Sequence, residues 1–321
     1  MPYKLDAEVA AALHAMTSNP TSPRPALGDV KAHRDTLGAN IKLMYDANYP
    51  KEDPSIIQKD FYTASADGHR VMVRWYSLPG FEPGPAILFI HSGGTIIGKV
   101  TDFDNLLHHY VAKTGVPFLS VEYRLSPEVQ YPKALEDVYA GLNWLHEHAC
   151  ELGVDTTRVA VMGESAGGLI AAALCIYARE KGGPAISKQL LVYPMLDDRS
   201  VKADDEIRPF LVWRDVDNQT GWDAYLGSDV RGSEAVPATA APARLVDAAG
   251  LPPVYIEVGE LDLFREENVS YASKFWRAAI PAELHVFPDL PHGYDLMAPK
   301  AKATQEAFAN RLRAIASVNT A

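Results

Sequence analysis

Residues 158–168 read RVAVMGESAGG, and the predicted architecture depends on this segment. Arg158–Met162 is a short apolar run typical of a buried strand, and Leu169–Tyr177 has the pattern of a buried helix. The turn between them has the form G-x-S-x-G, with Ser165 at its centre. Between a strand and a helix, this pattern places a serine hydroxyl above the end of a sheet as a candidate nucleophile. The alternative is a turn of small residues that only lets strand and helix pack closely.

A serine hydroxyl is a weak nucleophile, so it needs a base and a carboxylate that orients the base. In this strand–turn–helix context both follow the serine along the chain. His292 lies in a loop framed by proline and glycine, and we predict that it is the base. The competing His285 alternates with Leu284 and Val286 in a predicted strand, so we expect it to lie on the surface.

The orienting carboxylate is expected in the segment GELDLFREE at 259–267, which follows a predicted strand. We predict that Asp262 has this role, and Glu260 is the alternative. Glu266 and Glu267 are expected to begin the next helix as charges that its dipole favours.

A glycine loop after another predicted strand supplies the third element of the site. His91-Ser92-Gly93-Gly94 can bring backbone N–H groups close to a developing oxyanion. We predict that the N–H groups of Gly93, Gly94 and Ala166 form this oxyanion hole. His91 precedes the glycines, and we expect it to bond the backbone and hold the loop.

The rest of the chain alternates short apolar runs with longer amphipathic ones, which indicates a mostly parallel sheet with helices on both faces. A hairpin is predicted at 56–64 and 69–77, around Asp67-Gly68. Six further strands are predicted, giving eight: Ala86–His91, Pro117–Tyr123, Val159–Met162, Gln189–Tyr193, Val254–Val258 and Glu283–Phe287. The predicted helices cover residues 102–114, 133–152, 166–181, 267–279 and 301–317.

Two stretches, 1–52 and 200–235, do not follow this alternation. The first is helical in pattern and punctuated by proline. The second is longer than an ordinary connection and carries Phe210, Trp213 and Trp222, so we interpret it as a binding element or lid. These aromatic residues could line a substrate pocket or pack as a core of their own. The alternating strands and helices then lie in two parts of the chain, 53–199 and 236–321, which we expect to form the core together.

Composition limits the classes of partner. The chain has 41 acidic and 30 basic residues among 321, a formal net charge of −11, which disfavours nucleic acid and anionic lipid. The longest mostly apolar run, 166–178, is too short to cross a bilayer. The acidic N-terminus lacks a signal-like pattern and the two cysteines lack disulfide or metal spacing, so we expect a cytoplasmic protein. We expect no metal and no cofactor.

Four blocks of sequence resemble those of the hormone-sensitive lipase family of α/β-hydrolases, also called family IV carboxylesterases. HSGG at 91–94 resembles HGGG, YRLSPE at 123–128 resembles YRLAPE, and GESAGG at 163–168 resembles GDSAGG. DLFREE at 262–267 and HGY at 292–294 resemble the family's DPLRDE and HGF ends. The resemblance extends from about residue 57 to the end of the chain.

The resemblance implies an α/β-hydrolase core with a helical cap built from 1–52 and 200–235. It also implies a triad of Ser165, Asp262 and His292, and a homodimer through the edge strand near 283–287. Ser92 and Glu164 depart from the family pattern, which affects loop rigidity and local packing. The residues Arg124, Glu128 and Asp137 are expected to form a supporting ion-pair network.

The predicted function is therefore that of a serine carboxylesterase acting on short- to medium-chain esters of small molecules. The same triad could instead hydrolyse amide, formamide or lactone bonds. A non-catalytic small-molecule receptor on this fold is a further alternative, although such receptors typically lack the histidine that is present here at 292.

Overall fold

A computed structural model describes residues 3–17, 24–49, 54–80 and 82–320. Its strands form one eight-stranded sheet in the order β1-β2-β4-β3-β5-β6-β7-β8. The strands are β1 Ile57–Ala64, β2 Arg70–Ser77, β3 Gly84–Ile90, β4 Phe118–Val121, β5 Val154–Glu164, β6 Lys188–Val192, β7 Val254–Leu261 and β8 Ala282–Pro291. The hairpin β1–β2 and the pair β2–β4 are antiparallel, and the other pairs are parallel. The predicted mostly parallel sheet of eight strands is confirmed.

Helices follow most of the strands. The α-helices of the described residues are α1 Ala7–Thr17, α2 Val30–His33, α3 Ala39–Asn48, α4 Asp104–Thr114, α5 Lys133–Glu147, α6 Ala149–Leu152, α7 Ala166–Lys181, α8 Asp215–Leu226, α9 Arg265–Arg277, α10 Tyr294–Met297 and α11 Lys302–Ala316. The single helix predicted at 133–152 was wrong in one respect, because it divides at His148 into α5 and α6. Gly153 then ends α6 in the left-handed conformation that glycine adopts at little cost.

The sheet separates two hydrophobic layers. In β3, Ala86, Leu88 and Ile90 face the layer that contains α5, α7 and α9, whereas Ile87 and Phe89 face the layer of α4 and α11. This alternation follows from the period of two along a strand. All residues of β3 are buried, as expected for a central strand covered by helices on both faces.

The two irregular stretches contact each other at 28–33 and α8. The N–H of Gly28 donates to Oγ1 of Thr220 at 3.0 Å, and Nε2 of buried His33 lies 3.1 Å from Oδ1 of Asp217. Helix α1 packs elsewhere, against α10, and the N–H of Lys302 at the start of α11 donates to Glu8. The division of the chain into a cap at 1–52 and 200–235 and a core at 53–199 and 236–321 stays a prediction. Part of 1–52 lies outside the described residues.

No helix in the described part of the chain combines the length and the apolar character needed to cross a membrane.

Candidate active site

The G-x-S-x-G segment at 163–167 joins β5 to α7, and we call it the nucleophile turn after the role predicted for Ser165. Ser165 has φ +55° and ψ −117°, a conformation that side-chain-bearing residues rarely adopt, and it is held at the start of α7. A Cβ at Gly163 would lie 2.1 Å from the carbonyl oxygen of Gly167, and one at Gly167 would lie 2.0 Å from that of Ile90. Both positions therefore require glycine, which explains the spacing of the motif.

The structure brings Ser165, His292 and Asp262 together. Nε2 of His292 lies 3.0 Å from Oγ of Ser165, and its Nδ1 lies 2.7 Å from Oδ2 of Asp262. The other oxygen of Asp262 accepts the N–H of Phe264 at 2.9 Å. The three loops that carry these side chains follow β5, β7 and β8, whose carboxyl ends meet at one edge of the sheet.

The competing candidates make other contacts. Glu260 accepts the N–H of Asp289 at 3.2 Å, and it is Asp262 that contacts His292. His285 is partly exposed, with 27% of its side chain accessible, as predicted for a surface position. Its ring stacks on Phe287 at a centroid distance of 5.6 Å, and its Nε2 lies 2.6 Å from Glu283.

Glu266 and Glu267 both lie in the first turn of α9, as predicted, but their surroundings differ. Glu266 is exposed, whereas Glu267 is buried. The carboxylate of Glu267 accepts the N–H groups of Leu196 at 2.5 Å and Asp197 at 3.2 Å. It therefore anchors the loop after β6, a non-local contact that helix-start chemistry does not reveal, and burial raises the pKa of this carboxyl.

The glycine loop after β3 lies beside the nucleophile turn. Gly93 and Gly94 both have positive φ, +126° and +60°, and the carbonyl of Gly93 accepts the N–H groups of Ile96 and Ile97. Nδ1 of His91 is 2.8 Å from the carbonyl oxygen of Ser92, so this nitrogen donates. Burial lowers the pKa of His91 to about 4, which keeps it neutral. These are the contacts of a residue that holds the loop.

The three predicted aromatic pocket residues have different surroundings. The indole of Trp213 lies against Gly94, because a Cβ there would be 2.6 Å from its Cη2 and Cζ2 atoms. Trp222 is fully buried and packs near Tyr225, with ring centroids 6.1 Å apart, so it belongs to a packed interior. Phe210 is half-buried in a short 3₁₀ turn before α8. Of the three predicted pocket residues, Trp213 is thus the one shown to contact Gly94 of the glycine loop.

The predicted network of Arg124, Glu128 and Asp137 is divided in two. Arg124 pairs with Asp137 at 2.7 Å and, through the hairpin, with Asp67 at 2.9 Å. Glu128 pairs instead with Arg34 at 2.6 Å, which lowers the pKa of Glu128 to about 2.

Arg34 comes from the N-terminal stretch, and no local signal in the sequence pairs it with position 128. Its Nε donates to the carbonyl of Ile96 at 2.7 Å and its Nη2 to that of Ser126 at 2.9 Å. The N-terminal stretch thereby contacts the continuation of the glycine loop.

Glu164, which departs from the family pattern next to Ser165, is completely buried. Its carboxylate oxygens accept hydrogen bonds from the hydroxyls of Tyr45 on α3, at 2.9 Å, and Tyr110 on α4, at 3.0 Å. The N-terminal stretch therefore also contacts the nucleophile turn, through α3. These two hydroxyls satisfy the polar atoms that burial would otherwise leave unpaired.

Three further ionisable groups lie close to Glu164: Glu257 of β7, Asp295 of α10 and Arg311 of α11. We call these four residues the buried ion network. Arg311 lies 2.5 Å from Glu257 and 2.5 Å from Asp295, but 3.7 Å from Glu164. One positive charge thus faces three carboxyls, and Glu164 is the most distant of them. Burial raises the pKa of Glu164 to about 7.

Glu164→Gln is expected to change the pH dependence of stability. Because the folded pKa of Glu164 is raised from 4.5 to about 7, its contribution to stability is complete below pH 4.5 and is lost as pH rises through 7. The variant cannot ionise, so from pH 4.5 to pH 8 it should gain about 3 kcal/mol over the wild type. Urea unfolding across this range measures the difference.

The control is Glu266→Gln, which removes the same charge from an exposed site of α9. A gain of equal size in both variants, or no gain in Glu164→Gln, would contradict the burial argument.

No group of three or more His, Cys, Asp or Glu among the described residues is arranged to hold a metal ion. A serine on a strand–helix turn above a mostly parallel sheet, with a histidine and a carboxylate from later loops, defines the α/β-hydrolase class. A family model described as alpha/beta hydrolase fold matches residues 87–296, and the chain belongs to this family. The resemblance to the hormone-sensitive lipase family is confirmed.

Relatives share both sequence and structure with this chain. Esterase LipI of Mycobacterium tuberculosis is 36% identical over 233 residues, covering 71% of this chain and 71% of that protein. Ethyl acetate hydrolase of Pseudomonas putida is 28% identical over 249 residues, covering 76% of this chain and 77% of that protein. The solved structure of a bacterial heroin esterase matches with a TM-score of 0.88 at 33% identity, covering 98% of each chain.

Proposed function

We propose that this protein hydrolyses short- to medium-chain carboxylic esters through an acyl-enzyme on Ser165. It is a carboxylic ester hydrolase, since it belongs to a family in which relatives at 36% and 35% identity are named esterase and carboxylesterase. The observation that carries the proposal is the position of His292, 3.0 Å from the Ser165 hydroxyl and 2.7 Å from Asp262.

The proposed reaction uses these side chains in two half-reactions. Oγ of Ser165 attacks the ester carbonyl while Nε2 of His292 takes its proton, and the protonated imidazole then gives that proton to the departing alcohol. Water attacks the acyl-enzyme by the same route, which releases the carboxylic acid and restores Ser165. Asp262 holds the imidazole in the required tautomer and stabilises its charged form.

The oxyanion is assigned to backbone donors rather than side chains. The N–H of Ala166 stands at the first turn of α7, where the helix leaves N–H groups free of intrahelical partners and its dipole favours negative charge. The N–H groups of Gly93 and Gly94 complete the set in our proposal, on the loop that Arg34 and His91 hold.

A preference for short acyl chains is proposed because Trp213 covers Gly94 and because Ser165 is only 6% exposed. The name of the Pseudomonas putida relative, ethyl acetate hydrolase, also points to a small ester. In a series of p-nitrophenyl esters from acetyl to dodecanoyl, kcat/KM is expected to peak at the short end. Matched anilides test the amide alternative, and intact-mass detection of an acyl group on Ser165 tests the covalent step.

Trp213→Ala is expected to move that optimum to longer chains, with kcat/KM for a long ester relative to acetate rising about tenfold, because the indole no longer occupies the space above Gly94. The control is Trp276→Ala, which removes an indole that is 50% exposed on α9. An unchanged chain-length profile in Trp213→Ala would contradict a role for this residue in the pocket.

Three expectations from the sequence belong to this proposal as well: a cap formed by 1–52 and 200–235, a cytoplasmic location and a homodimer. The dimer is supported by β8, which is the last strand in the sheet order and exposes Val286. Size-exclusion chromatography with light scattering distinguishes a dimer from a monomer, and cell fractionation tests the location.

A further inference from the structure

Tyr193 contacts the imidazole of His292 although no motif marks it. It directly follows β6, and its ring lies 4.6 Å from the imidazole, centroid to centroid, at an interplanar angle of 64°. Its backbone φ is +35°, a left-handed value that is costly for a residue with a large side chain. Such a conformation persists only where the surroundings hold it, so the contacts that hold Tyr193 are informative.

Both ends of Tyr193 are anchored. Its N–H donates to the carbonyl of Glu257 at 2.7 Å, and its hydroxyl donates to Oδ1 of Asp295 at 2.9 Å. The other oxygen of Asp295 accepts from Arg311 at 2.5 Å, so the hydroxyl is attached to the buried ion network. Burial raises the pKa of Tyr193 well above its usual value, which keeps the hydroxyl protonated as a donor.

The imidazole of His292 contacts two hydrogen-bond partners, Asp262 and Ser165, and two aromatic rings, those of Tyr193 and Phe264. The hydrogen bond from Nδ1 to Asp262 fixes one point of the ring but permits rotation about that contact. The ring of Phe264 packs edge-to-face against the imidazole, at a centroid distance of 5.1 Å and an interplanar angle of 90°. Proton transfer to and from Ser165 depends on the direction of Nε2, so a small rotation of the ring lowers the rate.

We propose that Tyr193 is a positioning residue for His292, held in place by the hydrogen bond of its hydroxyl to the Arg311–Asp295 pair. This inference rests on the proposed function, because it assigns a role in the reaction of the triad. It predicts an effect on kcat without an equal effect on KM, since Tyr193 orients the base rather than the substrate.

The test compares two substitutions, each of which removes one hydroxyl that donates to a member of the buried ion network. Tyr193→Phe keeps the ring beside His292 but removes its anchor. Tyr255→Phe is the matched control, because its buried hydroxyl donates to Glu257 at 2.6 Å and its ring lies beside His285, away from the triad. Each variant is measured for kcat and KM on p-nitrophenyl acetate and for urea unfolding.

We expect Tyr193→Phe to lower kcat about tenfold with KM within about twofold of wild type. Tyr255→Phe should lose a similar amount of stability but keep wild-type kcat. Equal loss of kcat in both variants would mean that the network acts only through stability, and wild-type kcat in Tyr193→Phe would mean that the hydroxyl anchor does not position the imidazole. Either result overturns the inference.

Ser165→Ala, measured on the same substrate, separates this inference from the proposed function. If Ser165→Ala keeps activity, the proposed function itself is wrong. If Ser165→Ala is inactive while Tyr193→Phe has wild-type kcat, the proposed function stands and only the role of Tyr193 is lost.

Discussion

Ser165→Ala is expected to lower kcat for ester hydrolysis by at least about 10⁴-fold and to leave the fold intact. The expected loss is large because the hydroxyl is the atom that forms the covalent bond, and nothing else on the nucleophile turn can replace it. The turn itself should survive, because its geometry depends on Gly163 and Gly167, and alanine is smaller than serine. Steady-state kinetics with a burst-phase measurement follow both turnover and acyl-enzyme.

Ser120→Ala is the matched control for this prediction. Ser120 is buried in β4, next to β3 in the sheet, and within the described residues its hydroxyl makes no hydrogen bond. It should therefore keep wild-type kcat and comparable stability. More than a few per cent of wild-type turnover in Ser165→Ala, after contamination is excluded by intact mass, would show that another group is the nucleophile.

Local pattern was enough to predict the central features of the fold and site. Each strand carries its own apolar run, and the nucleophile turn is specified by residues that are adjacent in sequence, so both can be recognised without the tertiary structure. His292 and Asp262 were predicted from chain order and from the ends of strands. Their proximity to Ser165 follows because parallel strands end at one edge of the sheet.

The buried ion network was missed because its members lie on β5, β7, α10 and α11, and only the tertiary structure brings them together. A signal was nevertheless present. In α11, Arg311 lies in the same stripe as Phe308 and Ile315, which are core residues. A charged residue on the apolar face of a helix predicts a buried partner, although pattern alone does not identify which one.

The arrangement around Arg311 makes its loss costly for stability. Its side chain is 1% exposed and donates to Glu257, to Asp295 and, at 3.0 Å, to the hydroxyl of Tyr110. Without this cation, three buried carboxyls would face one another with no positive charge. Removing one partner of a buried ion pair is costly mainly because it leaves such uncompensated charge.

Arg311→Met is therefore expected to lower the free energy of unfolding by about 3–5 kcal/mol, measured by urea unfolding. Arg313→Met is the control on the same helix, since Arg313 is 54% exposed and pairs with Glu283 at the surface, and it should cost less than about 1 kcal/mol. Adding Glu257→Gln to Arg311→Met removes one of the uncompensated charges and should recover at least about 1 kcal/mol. If the double variant is less stable than Arg311→Met, the cost comes from lost packing around the guanidinium, and the charge argument for the network is wrong.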